Sequence, residues 1–432
     1  MNSVENRFKQ YNIPAYALRL LDKKRIQKPT DIQERLVPSA INGRDVIGQS
    51  QTGSGKTLAY LLPILSRINT SKAEVQAVIT APTRELAGQI FGVLKEITDE
   101  DETSSVRAKQ VAGGTDRSRV MEQLRNPPHI IVATPGRLKD MVGENVINVH
   151  TVSMLVIDEA DQMLDMGFLE EIDPVAGKMA DNLQMMVFSA TVPESLQPFL
   201  RKYMNNPKHV HVKPEHATPK EMTHYGIALR HRSRLDVTME LVDRLQPFLA
   251  IIFASTKDEA DELAGEMFKK QYPVEVLHGG LPSRQRKQVM KRIQNLEVQY
   301  LVATDLAARG MDIPGISHII NYSLPKELEY FIHRTGRAGR AGLTGESYTL
   351  MGEEDRKAVL SLQKQGIRFT FMDFRKGAWT ELSKPLFASR QTKRKPAPAP
   401  DSMPVKKPKK VKPGYKKKAM ADQTASRRHK RK

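Results

Sequence analysis

Cysteine is absent from the 432 residues of this chain. Disulfides, thiolate catalysis and cysteine-ligated zinc are thereby excluded, and a reducing compartment is the simplest setting. No run of 18 or more apolar residues occurs, so no membrane-spanning helix is expected. Residues 1–10 lack the apolar core of a signal peptide, and a cytoplasmic location is expected. Tryptophan occurs once, as Trp379. It is read as packing against the end of a domain, with contact to a bound partner as the alternative. The 11 histidines show no metal-ligand spacing, and His209 and His211 read as surface residues on one strand face. Heptads and repeats are missing too, so a monomer is expected. What remains is ordinary core-forming material, 39% hydrophobic and 27% charged, long enough for two or three domains.

Acidic residues are scarcest at the C-terminal end. Residues 389–432 hold 17 Lys or Arg against two Asp, a balance of +15 out of the chain's +19. Six prolines and no hydrophobic periodicity accompany this charge. Such a segment cannot bury enough apolar surface to offset its ordering entropy, so it is read as disordered. Runs such as Lys406-Lys407-Pro408-Lys409-Lys410 suit phosphates without reading sequence, which points to a nucleic-acid partner.

The body of the chain alternates short apolar runs with helical stretches. Strands are expected at residues 75–80, 129–133, 152–157 and 185–188, and a helix over 58–68. Continuous β-branched runs of this kind suit a parallel sheet covered on both faces. Residues 208–220 are polar and contain Pro214 and Pro219, which reads as a linker. The pattern then restarts, with strands expected at 248–253, 274–277, 299–303 and 316–321. The division is thus a first domain to residue 213, a linker over 214–222, a second domain over 223–378 and a basic tail from 379.

Two runs carry chemistry. Ser50-Gln51-Thr52-Gly53-Ser54-Gly55-Lys56-Thr57 follows an apolar stretch and precedes a helix. Its glycines let backbone N–H groups turn toward phosphates at a helix N-terminus. Lys56 is placed to reach the β- and γ-phosphates and Thr57 to hold Mg2+. The strict pattern opens with glycine, where this chain has Ser50. Asp158-Glu159-Ala160-Asp161 follows Leu155-Val156-Ile157. There Asp158 suits the magnesium shell and Glu159 the polarisation of attacking water. Together the two runs point to hydrolysis of ATP or GTP.

Asp158-Glu159-Ala160-Asp161 spells the signature of the DEAD-box RNA helicases, and further motifs follow the family's order. They are Pro82-Thr83-Arg84-Glu85-Leu86-Ala87, Gly113-Gly114, Thr134-Pro135-Gly136-Arg137, Ser189-Ala190-Thr191, the run from Ala303 to Asp312, and His333-Arg334-Thr335-Gly336-Arg337-Ala338-Gly339-Arg340. The resemblance covers about residues 8–375. Residues 47–52 and the short basic tail resemble a Gram-positive bacterial branch associated with cold shock.

The resemblance implies an α/β fold of two tandem RecA-like domains, each a mostly parallel sheet flanked by helices, with a disordered basic tail. It implies ATP and Mg2+ between the domains and RNA across both, as single strands and short duplexes. Gln33, in Lys28-Pro29-Thr30-Asp31-Ile32-Gln33, resembles the adenine-reading glutamine. Ile26 stands where relatives have an aromatic residue, and Phe8 matches their isolated upstream aromatic. Arg337 and Arg340 correspond to arginine fingers, His333 to the residue orienting them, and Asp312 to the ribose contact. Thr83, Arg84, Gly114, Thr134 and Arg137 correspond to RNA contacts of the first domain, Ser255 and Thr304 to those of the second. Ser189 and Thr191 correspond to the link between the ATP and RNA sites. Ser283 replaces a common glutamine. Cold adaptation, ribosome assembly and mRNA turnover are the implied settings, with ribosomal or RNA-decay proteins as candidate partners. On the residues alone, a DNA translocase and a non-catalytic RNA clamp stay open.

Overall fold

Short aliphatic runs become strands because both of their faces find cover. In the computed structural model, Ala77 and Ile79 join one core and Val78 the core on the opposite face. The same alternation places Met154 and Val156 on one side, Leu155 and Ile157 on the other. The structure describes residues 6–51, 53–100, 104–114, 117–212, 222–308, 313, 315–325, 327–339, 344–375 and 378–383.

The first sheet holds β1 (Val46–Gln49), β2 (Ala77–Thr80), β3 (Ala108–Val111), β4 (Ile130–Ala133), β5 (Met154–Ile157), β6 (Gln184–Ser189) and β7 (Lys208–His211). All pair in parallel, in the order β3-β4-β2-β5-β6-β1-β7. The second sheet holds β8 (Met222–Ala228), β9 (Ala250–Ala254), β10 (Val274–Leu277), β11 (Tyr300–Thr304), β12 (His318–Asn321), β13 (Gly345–Met351), β14 (Phe369–Arg375) and β15 (Ala378–Leu382). Its order is β10-β11-β9-β12-β13-β8-β14-β15, parallel except for the β14–β15 hairpin. Each sheet also has two cores, one per face.

Three expectations need correction. Residues 208–211 are no linker: they form β7, pairing with β1 and burying Val210 while His209 and His211 face outward. The strand face read at His209 and His211 thus extends over Lys208–His211, inside the first domain expected to run to residue 213. Residues 213–221, the body of the expected linker, lie outside the described residues. The tail does not begin at 379, because Trp379 to Leu382 pair with β14 and Trp379 packs on the second sheet's core. Several strands start one or two residues later than expected, since entry residues such as Phe248, 61% exposed, precede the ladder.

Candidate functional site

The strand order divides the first sheet's C-terminal edge into two halves. β5, β6 and β1 are neighbours, and their ends carry the acidic motif, Ser189-Ala190-Thr191 and the glycine loop. β3, β4 and β2 form the other half, and their ends carry Gly113-Gly114, the Thr134 motif and the Thr83 motif. Ligands of open α/β sheets bind at this edge.

The helix Lys56–Arg67 starts directly from the loop, with Gly55 as its N-cap at φ 90°. A Cβ on Gly55 would lie 2.4 Å from Gln33 Nε2, so only glycine fits this turn. Gln33 is 2% exposed. Its Nε2 donates to the Gly55 carbonyl at 2.9 Å, and its Oε1 accepts from Thr30 N–H at 2.9 Å. One amide hydrogen and one lone pair are left over, the pair that an adenine edge requires. Lys56 is buried and donates to the Ser50 carbonyl at 2.8 Å. Ser54 caps the loop through the Gln51 carbonyl at 2.8 Å and meets the Ser50 hydroxyl at 2.7 Å. Gly53 has φ 80°, and Thr57 is half-buried on the helix's first turn. Phe8 is wholly buried, and Ile26 packs on the same core at its margin. Phe8 therefore acts through the core that carries this region.

Asp158 and Glu159 end β5, buried at 4% and 6% exposure. Glu159 adopts φ 51°, ψ 53°, an uncommon conformation for a non-glycine residue. That turn lets its N–H donate to Asp158 Oδ1 at 2.9 Å. Burial pushes the Glu159 carboxyl up to about 7, with Asp158 adding to the rise and Lys56 and Arg337 opposing it. Burial likewise raises Asp158, against the pull of Lys56. Glu159 Oε2 is buried with no hydrogen-bond partner among the described residues.

Asp161 joins the acidic motif to β6. Its N–H donates to Ser189 Oγ at 3.0 Å, while its Oδ2 accepts from Thr191 N–H at 2.9 Å and Thr191 Oγ1 at 3.2 Å. Ser189 and Thr191 thus meet the motif through Asp161.

The second lobe contributes the helix Glu329–Thr335 and the residues after it. Arg337 is 6% exposed and near enough to Glu159 to lower its pKa. Tyr330 of this helix donates to Asp165 Oδ2 of the first lobe, and the half-buried His333 ring lies edge-on to Tyr330 at 5.9 Å. A further ion pair joins Arg286 Nη2 to Glu85 Oε2 across the lobes at 2.7 Å.

Along the other half of the edge, Thr83 caps the helix Arg84–Thr98 by accepting from Leu86 N–H at 3.2 Å. Arg84 is exposed and lies over Gly113, where an added Cβ would sit 2.7 Å from its Nη2. Gly114 is exposed. Thr134 is the N-cap of the helix Pro135–Gly143. On that helix, Arg137 Nε and Nη2 are buried with no hydrogen-bond acceptor among the described residues. In the second lobe, Ser255 follows β9 and Thr304 ends the adjacent β11, and Ser255 Oγ donates to Ser323 Oγ at 2.7 Å. Thr52, Asp312 and Arg340 lie outside the described residues, as does the Ser283 side chain.

Sequence reasoning missed several partners. Arg334 is 2% exposed and forms two bonds to Asp305, at 2.5 and 2.6 Å, anchoring the arginine-bearing segment to the end of β11. Tyr60 donates to Asp158 Oδ2 at 2.9 Å. The available signals were a charged pair inside two motifs and a phenol inside an otherwise apolar helix.

The family model described as DEAD/DEAH box helicase matches residues 30–199, and that of the helicase conserved C-terminal domain matches residues 233–342. The chain is 47% identical over 418 residues to the DEAD-box ATP-dependent RNA helicase CshB of Bacillus subtilis strain 168, covering 96% of this chain and 95% of that protein. It is 46% identical over 416 residues to the protein of the same description from Listeria monocytogenes serovar 1/2a, with 96% and 95% covered. Among solved structures, S. cerevisiae Dbp5 bound to RNA and ADP BeF3 superposes with a TM-score of 0.77 at 28% identity, covering 85% of this chain and 96% of that one. Mss116 bound to ssRNA and UDP-BeF gives 0.77 at 27% identity, with 87% and 81% covered. The two sheets are accordingly tandem RecA-like domains. A shared edge of phosphate-binding and acidic motifs, a second lobe that reaches it, and near-full-length similarity lead to one conclusion: the chain belongs to the DEAD-box family of ATP-dependent RNA helicases and hydrolyses ATP.

Proposed function

We propose that closure of the two lobes around ATP couples hydrolysis to the local separation of short RNA duplexes, with the residues named above in defined roles. The observation that carries this reading is the convergence of Lys56, Asp158 and Glu159 at one buried spot, within electrostatic reach of Arg337 from the other lobe.

Gln33 selects adenine with its remaining N–H and lone pair, which guanine's O6 would not match. Ile26 contributes apolar contact to the base, and Asp312 takes the ribose. Residues 50–57 hold the phosphates, Gln51 to Gly55 through the loop backbone and Lys56 by charge. Two adjacent buried carboxylates facing one buried lysine fit a divalent cation. Thr57 and Asp158 are the residues that would hold Mg2+, a sparse protein ligand set suited to an ion that keeps water and phosphate ligands. When bound, Mg2+ neutralises charge on the phosphate oxygens. Glu159 accepts a proton from the attacking water, and its unpartnered Oε2 is the atom available for that bond. Arg337 and Arg340 stabilise charge that develops on the γ-phosphoryl group, and His333 orients them. Catalysis therefore depends on closure.

RNA lies along the other half of the edge. Thr83, Arg84, Gly114, Thr134 and Arg137 contact its backbone in the first lobe, Ser255 and Thr304 in the second. The buried, unpartnered donors of Arg137 suit a phosphate. What Dbp5 and Mss116 hold, RNA with a nucleotide analogue, supports this arrangement. The 2′-OH distinguishes RNA from DNA. Ser189, Thr191 and Asp161 link the two halves. The chain works in the cytoplasm as a monomer, in cold adaptation, ribosome assembly or mRNA turnover, with ribosomal or RNA-decay proteins as partners.

The test compares ATP turnover with RNA and with DNA of the same sequence. Stimulation by RNA alone is expected, and equal stimulation by both would overturn the assignment.

A further inference from the structure

Both oxygens of the Asp158 carboxylate have donors. Oδ1 accepts from the Glu159 N–H at 2.9 Å and Oδ2 from the Tyr60 hydroxyl at 2.9 Å. Only the second donor is a side chain. Tyr60 stands on the helix Lys56–Arg67, one turn after Thr57, and is 0% exposed. Residues three apart on a helix are neighbours, so Thr57 and Tyr60 lie on one face of it. The Tyr60 ring packs against Phe188 with centroids 5.2 Å apart, inside the first-lobe core.

Packing alone would be served by phenylalanine, which fills the same space without a polar atom to satisfy. The hydroxyl is tolerated in this core because a carboxylate accepts its charge-assisted hydrogen bond. A carboxylate held at one oxygen only can still rotate about Cβ–Cγ. Held at both, it keeps one orientation, and a cation meeting its remaining lone pairs loses little freedom on binding.

We propose that Tyr60 is a positioning residue for magnesium: its hydroxyl fixes the Asp158 carboxylate before nucleotide arrives. The proposal rests on the reading of Thr57 and Asp158 as the magnesium residues. It predicts that Tyr60→Phe selectively loses the part of nucleotide affinity that depends on magnesium.

The experiment measures the affinity of fluorescently labelled ADP for the full chain in excess magnesium and in EDTA, and takes the ratio. Wild type, Tyr60→Phe and Asp158→Asn are compared, with Thr57→Val replacing the last if it does not fold. Tyr60→Phe should reduce the ratio by about three- to ten-fold, with affinity in EDTA and the nucleotide-free melting temperature close to wild type. A wild-type ratio in Tyr60→Phe beside a collapsed ratio in Asp158→Asn would overturn the role of Tyr60 and leave the magnesium residues standing. Wild-type ratios in both variants would overturn the magnesium reading and the proposal with it. Equal weakening with and without magnesium, or a nucleotide-free chain that melts much lower, would make Tyr60 a packing residue and overturn the proposal.

Discussion

A carboxylate that takes a proton from water must be ionised, yet Glu159 is 6% exposed and next to a second buried carboxylate. Burial first, and Asp158 second, lift its pKa to about 7. A raised carboxyl pKa means that the folded chain holds a proton the unfolded chain releases. The stability tied to this group is present below the unfolded value near 4.5 and is lost as pH rises toward 7. Glu159→Gln removes that penalty. Without nucleotide, it should be more stable than wild type at pH 8 by roughly 1–3 kcal/mol, with the gap closing below pH 5, as thermal melts across pH would show. The same substitution should lower ATP turnover by about 10²- to 10⁴-fold while ATP still binds. A variant that melts like wild type at pH 8 would show that burial does not raise the Glu159 pKa in the folded chain.

Among the elements, the turn from β1 into the helix Lys56–Arg67 bears the tightest constraint. Gly55 combines φ 90° with a close approach to Gln33, so any side chain there disrupts the phosphate loop and the adenine-reading amide together. Gly55→Ala should cost on the order of 1–3 kcal/mol of stability and abolish detectable labelled-ADP binding. A variant that binds ADP normally would contradict the joint role. This turn was legible in the sequence because its glycines, lysine and preceding apolar run are local. So were β5 and its acidic end, since Leu155, Val156 and Ile157 run straight into Asp158. What escaped notice depends on distant pairing. β7 was read only as the face of His209 and His211, and its pairing comes from the edge that β1 offers. β15 exists because its backbone pairs with β14 in an antiparallel hairpin, Trp379 in register with residue 374. Tyr60 and Arg334 read as one more aromatic and one more arginine until folding brings Asp158 and Asp305 to them.

For the whole molecule, the issue is what holds the lobes together. Arg286 and Glu85 are 14% and 10% exposed at the side chain, so each depends on the other for charge compensation. Removing one partner leaves the other buried and unpaired, which costs more than losing the pair. Arg286→Ala should raise the RNA concentration that half-activates ATP turnover by about tenfold or more, and Glu85→Ala added to it should recover part of the loss. A double variant no better than Arg286→Ala would show that the ion pair is not what matters. The C-terminal charge acts differently. Deleting residues 389–432, which carry a balance of +15, should weaken RNA binding and flatten its salt dependence while basal ATP turnover survives. Unchanged affinity in salt titrations of the shortened chain would refute the tail's role. The central claim, that the second lobe completes the ATP site, is tested most directly by RNA-stimulated ATP turnover in Arg337→Lys. A lysine keeps the charge but not the planar, paired hydrogen bonds of a guanidinium. Labelled-ADP affinity should stay near that of wild type while RNA-stimulated turnover falls by about 10³-fold or more; turnover that responds to RNA as in wild type would contradict the account.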